Sequence, residues 1–356
     1  AASAAGTAAA SSARAEGGRM RQVILRQYGD LSDPSLARVE DAPEPSLAED
    51  EVLVRVRAVG LNPIDFKIAA GNLGGVAPLP IFPGTDCSGV VERVGSRVSS
   101  LQVGDEVFGN GFGFLADLAA VKADRLAPKP KSWSFERAAA LPTVGLTTSV
   151  VLAASPGLAG KSVVVVGASG GVGTLALQAA RAAGAARIYA VCSGRNADFV
   201  RGLGADEVLD YTLGDWTRTF REGNSEAPAY VWDVSPAGGQ SVWDSVSGWL
   251  PASSTLVSIN FFDPSFTLSP GNIFNQFTLF PAANRALNML GQAPSYRFVD
   301  ATSVVDPRRA LLEMAESADR GDLRMPSVEA FAFENFHRAA AKLMGGHVRG
   351  KVVVTI

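Results

Sequence analysis

Ser162-Val163-Val164-Val165-Val166-Gly167-Ala168-Ser169-Gly170-Gly171-Val172-Gly173-Thr174 decides how this chain is read. Its opening run is almost wholly β-branched. A run without polar alternation is buried on both faces, as in a parallel sheet. Glycines follow at once, spaced Ala168-x-Gly170-x-x-Gly173. An Ala- and Leu-rich helix over 174–183 comes next, with Gly184 where a C-terminal cap belongs. Glycine lets backbone approach a pyrophosphate, and a helix N-terminus offers unpaired N–H groups and a positive dipole end. The spacing alone is a weak signal. Strand, turn and helix in order are the context a dinucleotide-binding fingerprint requires. The bland alternative is a tight strand-to-helix turn with no ligand.

Outward from the turn, the two sides read differently. Strand patterns at 187–192, 207–211, 230–234 and 254–259, with a helix at 196–203, predict stacked βαβ units, a doubly wound Rossmann-type sheet. Before residue 142 the pattern is short strands broken by Gly and Pro, at 51–59, 90–94 and 105–108. The period-2 alternation of 51–59 predicts one buried and one solvated face. This side suggests a small antiparallel barrel. An amphipathic helix at 306–319 and a last strand at 351–356 complete the chain. The expected fold is α/β. A Rossmann domain at 146–321 is inserted into a barrel domain of 20–145 and 322–356, the last segment pairing back with the first.

The chain has 356 residues, 47% hydrophobic and 19% charged, with net charge −3. That balance is globular, and it does not favour nucleic acid or an anionic surface as partner. No stretch approaches the roughly 20 apolar residues of a membrane span. Two cysteines, Cys87 and Cys192, and two histidines, His337 and His347, build neither a disulfide framework nor a zinc site at usual spacings, so no metal is expected. Both cysteines read as buried free thiols. Residues 1–19 are low in complexity and rich in Ala, Ser and Gly. They read either as the remnant of a transit peptide, placing the protein in a chloroplast or other organelle, or as a tail with no address and a cytoplasmic protein.

The end of the second strand of the βαβ unit discriminates between cofactors. NAD sites carry Asp or Glu about 20 residues past the glycines, bonded to the ribose 2′-OH. Cys192-Ser193-Gly194-Arg195-Asn196 stands there instead. A hydroxyl and a guanidinium suit a 2′-phosphate, hence NADPH. The alternative is a solvated loop arginine.

Further motifs occur in order: Leu61-Asn62-Pro63-Ile64-Asp65-Phe66-Lys67, Phe82-Pro83-Gly84-Thr85-Asp86-Cys87-Ser88-Gly89, Gly104-Asp105-Glu106-Val107 and Leu141-Pro142-Thr143-Val144-Gly145-Leu146-Thr147-Thr148. With the glycine turn they resemble the zinc-free quinone oxidoreductase branch of the medium-chain dehydrogenase/reductase superfamily. Residues 192–196, 204–211 and 346–351 look closer still to chloroplast quinone oxidoreductase/alkenal reductase proteins and mitochondrial homologues. The resemblance covers 20–356. It implies a GroES-like barrel domain beside the Rossmann domain, and a zinc-independent reductase that passes hydride from NADPH to small-molecule quinones or α,β-unsaturated carbonyls. An enoyl-thioester reductase and a non-catalytic NADPH-binding protein are the alternatives. Zinc-dependent members of the superfamily carry a cysteine near Asn62-Pro63 and a histidine near Gly84, and this chain has neither. The resemblance implies cofactor contacts at Gly170, Gly171, Val172, Ser193, Arg195, Asn196, Tyr211, His347, Val348 and Arg349. Thr147 and Asn62 would flank the nicotinamide. Lys67, with Asn62, would stabilise charge on the substrate carbonyl. Homodimerisation is an expectation of the same kind. The carboxylate pairs Asp65/Asp86 and Asp105/Glu106 read as turn caps.

Overall fold

A computed structural model describes residues 18–72, 78–235, 239–260, 278–325, 327–346 and 348–356. Strands β1 (Arg19–Leu25) and β2 (Ala37–Pro43) form an antiparallel ribbon. Then come β3 (Glu51–Gly60), β4 (Asp86–Val94), β5 (Glu106–Asn110), β6 (Leu118–Lys122) and β7 (Leu126–Pro128). Two strands from the far end of the chain, β14 (Val328–Ala332) and β15 (Lys351–Thr355), join them in a seven-stranded sheet ordered β14-β15-β3-β4-β5-β7, with β6 also on β3.

Expected alternation in β3 is only half right. Val52, Val54 and Val56 enter the main barrel core. Leu53, on the other face, is buried too, against Met20, Ala42 and Leu118. The β1–β2 ribbon contributes Met20 and Ala42 and covers a face that the local pattern leaves for solvent.

The other sheet is parallel throughout: β8 (Ser162–Val166), β9 (Arg187–Cys192), β10 (Glu207–Asp210), β11 (Tyr230–Asp233), β12 (Thr255–Ser258) and β13 (Ser295–Phe298). Its order is β10-β9-β8-β11-β12-β13. Winding reverses between β8 and β11, and the crevice beyond the strand ends at such a reversal is where open α/β sheets take ligands.

The helices that carry the residues discussed below are α1 (Pro63–Ala69), α2 (Phe135–Ala139), α3 (Pro142–Ala153), α4 (Gly171–Ala182) and α5 (Ala197–Arg201). α4 starts three residues earlier than its apolar pattern suggests, because Gly170 takes an extended N-cap conformation. Gly184 has φ +77° just past its end, as a helix stop requires. One apolar cluster joins the barrel sheet to helices α2, α3 and α4. Ala58, Phe108 and Val353 of the barrel side meet Leu141, Val144 and Leu146, Leu175 of α4, and Leu311 of the helix Pro307–Asp319. It holds the barrel sheet against α4, the helix that the glycine turn opens.

Candidate cofactor and substrate site

Tight backbone packing sets the shape of the glycine turn. A Cβ on Gly173 would lie 2.3 Å from the Gly167 carbonyl oxygen, and one on Gly167, at φ +83°, would lie 2.6 Å from the Ser235 Cα. Only glycine fits both places. Gly170, Gly171 and Val172 open α4, whose first N–H groups lack intrahelical acceptors.

Two further segments converge on this helix end. From the end of β9, Asn196 Nδ2 donates to Ser169 Oγ at 3.1 Å and to Ser193 Oγ at 3.2 Å. Ser169 thereby joins Ser193 and Asn196 in one polar group, which residue spacing did not single out. From the barrel sheet, the turn before β15 crosses over: Gly350 N–H donates to the Ser169 carbonyl at 3.0 Å, and Gly170 and Gly350 form a parallel bridge. Arg349 consequently lies over the Phe199 ring of α5, 4.9 Å from its centroid. Arg195 is exposed and, among the described residues, is in no ion pair. Val348 packs against the barrel core. Tyr211 is half-exposed just past β10. His347 lies outside the described residues.

The neighbourhood is not purely cationic. Asp210, at the end of β10, stands so close to Gly194 that a Cβ there would be 2.3 Å from its carboxylate. The Thr212 hydroxyl holds the Asp210 carboxyl below the usual range. A carboxylate from the next strand thus lies against the Gly194 backbone, out of reach of the spacing rule. It ties down the loop that carries Arg195.

Beneath the crevice lies a different construction. Asn62, Asp65, Thr85, Asp86 and Lys351 are all buried. Asn62 N–H donates to Asp65 Oδ2 at 2.8 Å, closing the first turn of α1. Asn62 Nδ2 donates to Asp86 Oδ2 at 2.8 Å and Thr85 Oγ1 at 3.1 Å. Asn62 Oδ1 accepts from Lys351 Nζ at 2.7 Å. Asp86 Oδ1 accepts from Thr143 N–H at 2.9 Å and Thr143 Oγ1 at 2.6 Å. Burial pushes the Asp65 carboxyl up to about 7, despite the hydrogen bond from Asn62. Burial also raises Asp86, against the pull of Lys351, and lowers Lys351, against the pull of Asp86 and Asp65.

Asp65 does cap the first turn of α1, as expected, and with Asp86 it also belongs to one buried network. That network corrects the reading of Asn62. Both ends of its amide are engaged inside the protein, so it is not a free donor for a substrate carbonyl. Asp105 does cap its turn, accepting from Gln102 N–H at 2.9 Å. Glu106 instead pairs with Lys129 at 3.2 Å.

Lys67 lines a cleft of about 450 Å³ with Tyr28, Asp30, Leu31, Phe66 and Met344; Asn62 and Thr147 are not part of that lining. Burial lowers the Lys67 ammonium from its ordinary value. Thr147 is buried on α3 one turn after Thr143. Among the described residues no three His, Cys, Asp or Glu side chains are placed to hold a metal ion. Cys87 and Cys192 are buried free thiols.

Two family profiles match the chain: an alcohol dehydrogenase GroES-like domain over 48–131, and a zinc-binding dehydrogenase profile over 203–354. The chain is similar to a chloroplastic NADPH-dependent alkenal/one oxidoreductase of Arabidopsis thaliana, 39% identical over 52% of this chain, but it matches only 51% of that relative's length. A chloroplastic quinone-oxidoreductase homologue of Spinacia oleracea is 30% identical over 94% of this chain and 98% of its own length. Among solved structures, the quinone oxidoreductase of Coxiella burnetii superposes with a TM-score of 0.76 at 26% identity, covering 95% of this chain and all of that one.

Proposed function

Because the chain belongs to the quinone oxidoreductase-like branch of the medium-chain dehydrogenase/reductase superfamily, we propose that it is an NADPH-dependent reductase of quinones or α,β-unsaturated carbonyls. One observation carries the cofactor assignment: the turn before β15 is bridged onto Gly170, which sets Arg349 on Phe199 beside Ser169, Ser193 and Asn196. Cations and hydroxyls from both domains then flank one helix N-terminus. That is the chemistry a pyrophosphate and a 2′-phosphate call for. Gly170, Gly171 and Val172 would hold the pyrophosphate. Ser193, Arg195, Asn196 and Arg349 would hold the 2′-phosphate, with Tyr211 closing over it, and Thr147 would border the nicotinamide.

Bound NADPH would supply the hydride, which adds to the electron-poor β-carbon or the quinone ring. Negative charge then grows on the carbonyl oxygen. Lys67 would donate a hydrogen bond to that oxygen, and solvent would deliver the proton to the neighbouring carbon. Asn62 would shape the floor from below. The donor set argues against a resident zinc: Asn62 and Thr85 stand in the segments where the zinc-dependent relatives carry Cys and His, and they are bonded to each other. An organelle location follows the addresses of the relatives. Homodimerisation would use β13, an edge strand of the parallel sheet among the described residues, and sedimentation would test it.

The test is NADPH oxidation against a panel of quinones, enones and enoyl thioesters, beside NADPH binding by fluorescence. Turnover of quinones or enones is expected. Turnover of enoyl thioesters alone, or tight NADPH binding with no turnover anywhere, overturns the reading.

A further inference from the structure

Lys351 is buried more completely than a lysine usually is, its side chain only 4% exposed. A buried ammonium is tolerated only where its protons find acceptors. Lys351 Nζ donates to the Leu61 carbonyl and to Asn62 Oδ1, both at 2.7 Å, and lies 3.7 Å from Asp86 Oδ2. Its stem has a second role. A Cβ on Gly171 would lie 3.0 Å from Lys351 Cδ, so the methylenes lie directly along the glycine turn. The preceding residue, Gly350, is bonded to Ser169. On the far side, Asp86 grips Thr143 through both its N–H and hydroxyl, in the first turn of the helix that carries Thr147.

One ion pair therefore touches three separate walls: the glycine turn, the start of α1 and the start of α3. We propose that Lys351, together with Asp86, is a positioning residue that sets the glycine turn against Asn62 and Thr147, and so fixes where the nicotinamide end of bound NADPH lies relative to the substrate. The inference rests on the NADPH assignment made above. A filler of the same volume would keep the stem contact with Gly171, but would leave Asn62 Oδ1 and Asp86 without their cation.

The test compares the full-length protein with Lys351→Met, Lys351→Arg and Asp86→Asn. It reads kcat and KM for an enone, the primary isotope effect with C4-deuterated NADPH, and the emission maximum of bound NADPH. Misplacement of about 1 Å costs on the order of 10²-fold, so Lys351→Met should lower kcat about that much. Its enone KM should stay within about threefold, and the isotope effect should rise as hydride transfer becomes limiting. The emission of bound NADPH should move toward that of the free coenzyme. Lys351→Arg, which keeps the cation, should recover about tenfold of the loss. Unchanged kcat and unchanged emission in Lys351→Met overturn the proposal. So does equal damage in Lys351→Arg and Lys351→Met when both melt like the wild type. If Lys351→Met does not fold, Asp86→Asn decides by the same readouts. If the wild type reduces nothing in the panel, the reductase reading fails, while the emission shift still decides the role of Lys351.

Discussion

The phosphate end of the crevice and its floor are built on opposite plans. At the phosphate end, contiguous backbone does most of the work, and the charged side chains, Arg195 and Arg349, face solvent. At the floor, backbone groups of Asn62, Gly84, Thr143 and Leu61 share the bonding with side chains. Two carboxylates, an ammonium and an amide are buried together, and each is held by residues far away in sequence: Lys351 and Asn62 are 289 positions apart. The exposed cations can adapt to an incoming anion at low cost. The buried network cannot, since a polar group stranded there loses water without gaining a partner. One end suits recognition, the other suits alignment.

Substitution at the turn should break the comparison most forcefully. Gly173→Val puts side-chain atoms where the Gly167 carbonyl already lies, 2.3 Å from a first Cβ. Loss of NADPH binding by about 10²-fold or more is expected in a fluorescence titration, with a lower melting temperature as the overpacked turn gives way. Near-normal binding would show that the backbone cradle is not what holds the coenzyme.

Lys67→Ala addresses the substrate side. Removing one donor to a developing oxyanion costs on the order of 10²-fold in kcat, and KM for NADPH should not move. Burial lowers the Lys67 ammonium, so the protonated donor is lost at a lower pH than in an exposed lysine. The alkaline limb of kcat should accordingly move up in Lys67→Arg, whose guanidinium stays charged. An unchanged enone kcat/KM in Lys67→Ala would remove this residue from the chemistry.

Arg195→Ala should raise KM for NADPH by about tenfold, the value of a hydrogen bond to a charged group, and leave KM for NADH nearly unchanged. Equal changes would mean that Arg195 does not read the 2′-phosphate. Asp210→Asn is the control, because it loosens the same loop without removing the guanidinium.

The smallest effect concerns pH and the floor. The folded Asp65 carboxyl is pushed up to about 7, above the value of about 3.9 in an unfolded chain. The native state therefore holds its proton longer than the unfolded state does. The resulting stability is complete below about pH 4 and declines as pH rises through 7. Melting temperatures of wild type minus Asp65→Asn should fall across that window. A flat difference would mean that the floor carries Asp65 ionised throughout.

Much of the fold was legible because its signals are local. The β-branched run at 162–166, the glycine spacing and the alternation of strands with helices each lie within a few tens of residues, and the parallel sheet follows them. The second buried face of β3 was not legible, since the β1–β2 ribbon that covers it belongs to another part of the chain. The site divides in the same way. Ser193, Arg195 and Asn196 could be picked out by their distance from the glycines. Ser169 could have been noticed as the hydroxyl inside the turn. Asp210 could not, because it reaches Gly194 from the neighbouring strand.

By itself, then, the sequence determined that the chain carries a strand, a glycine turn and a helix in a doubly wound sheet, and that the end of β9 offers a hydroxyl and a guanidinium. Tertiary structure decided that the barrel's last strand returns to lock onto that turn, that Asn62 is spent on Lys351 and Asp86, and that Lys67 lines a cleft with Tyr28 and Met344. The physical reason is reach. A turn is specified by neighbours along the chain through backbone sterics. A buried charge is specified by whichever distant partners the packed core brings within hydrogen-bonding distance.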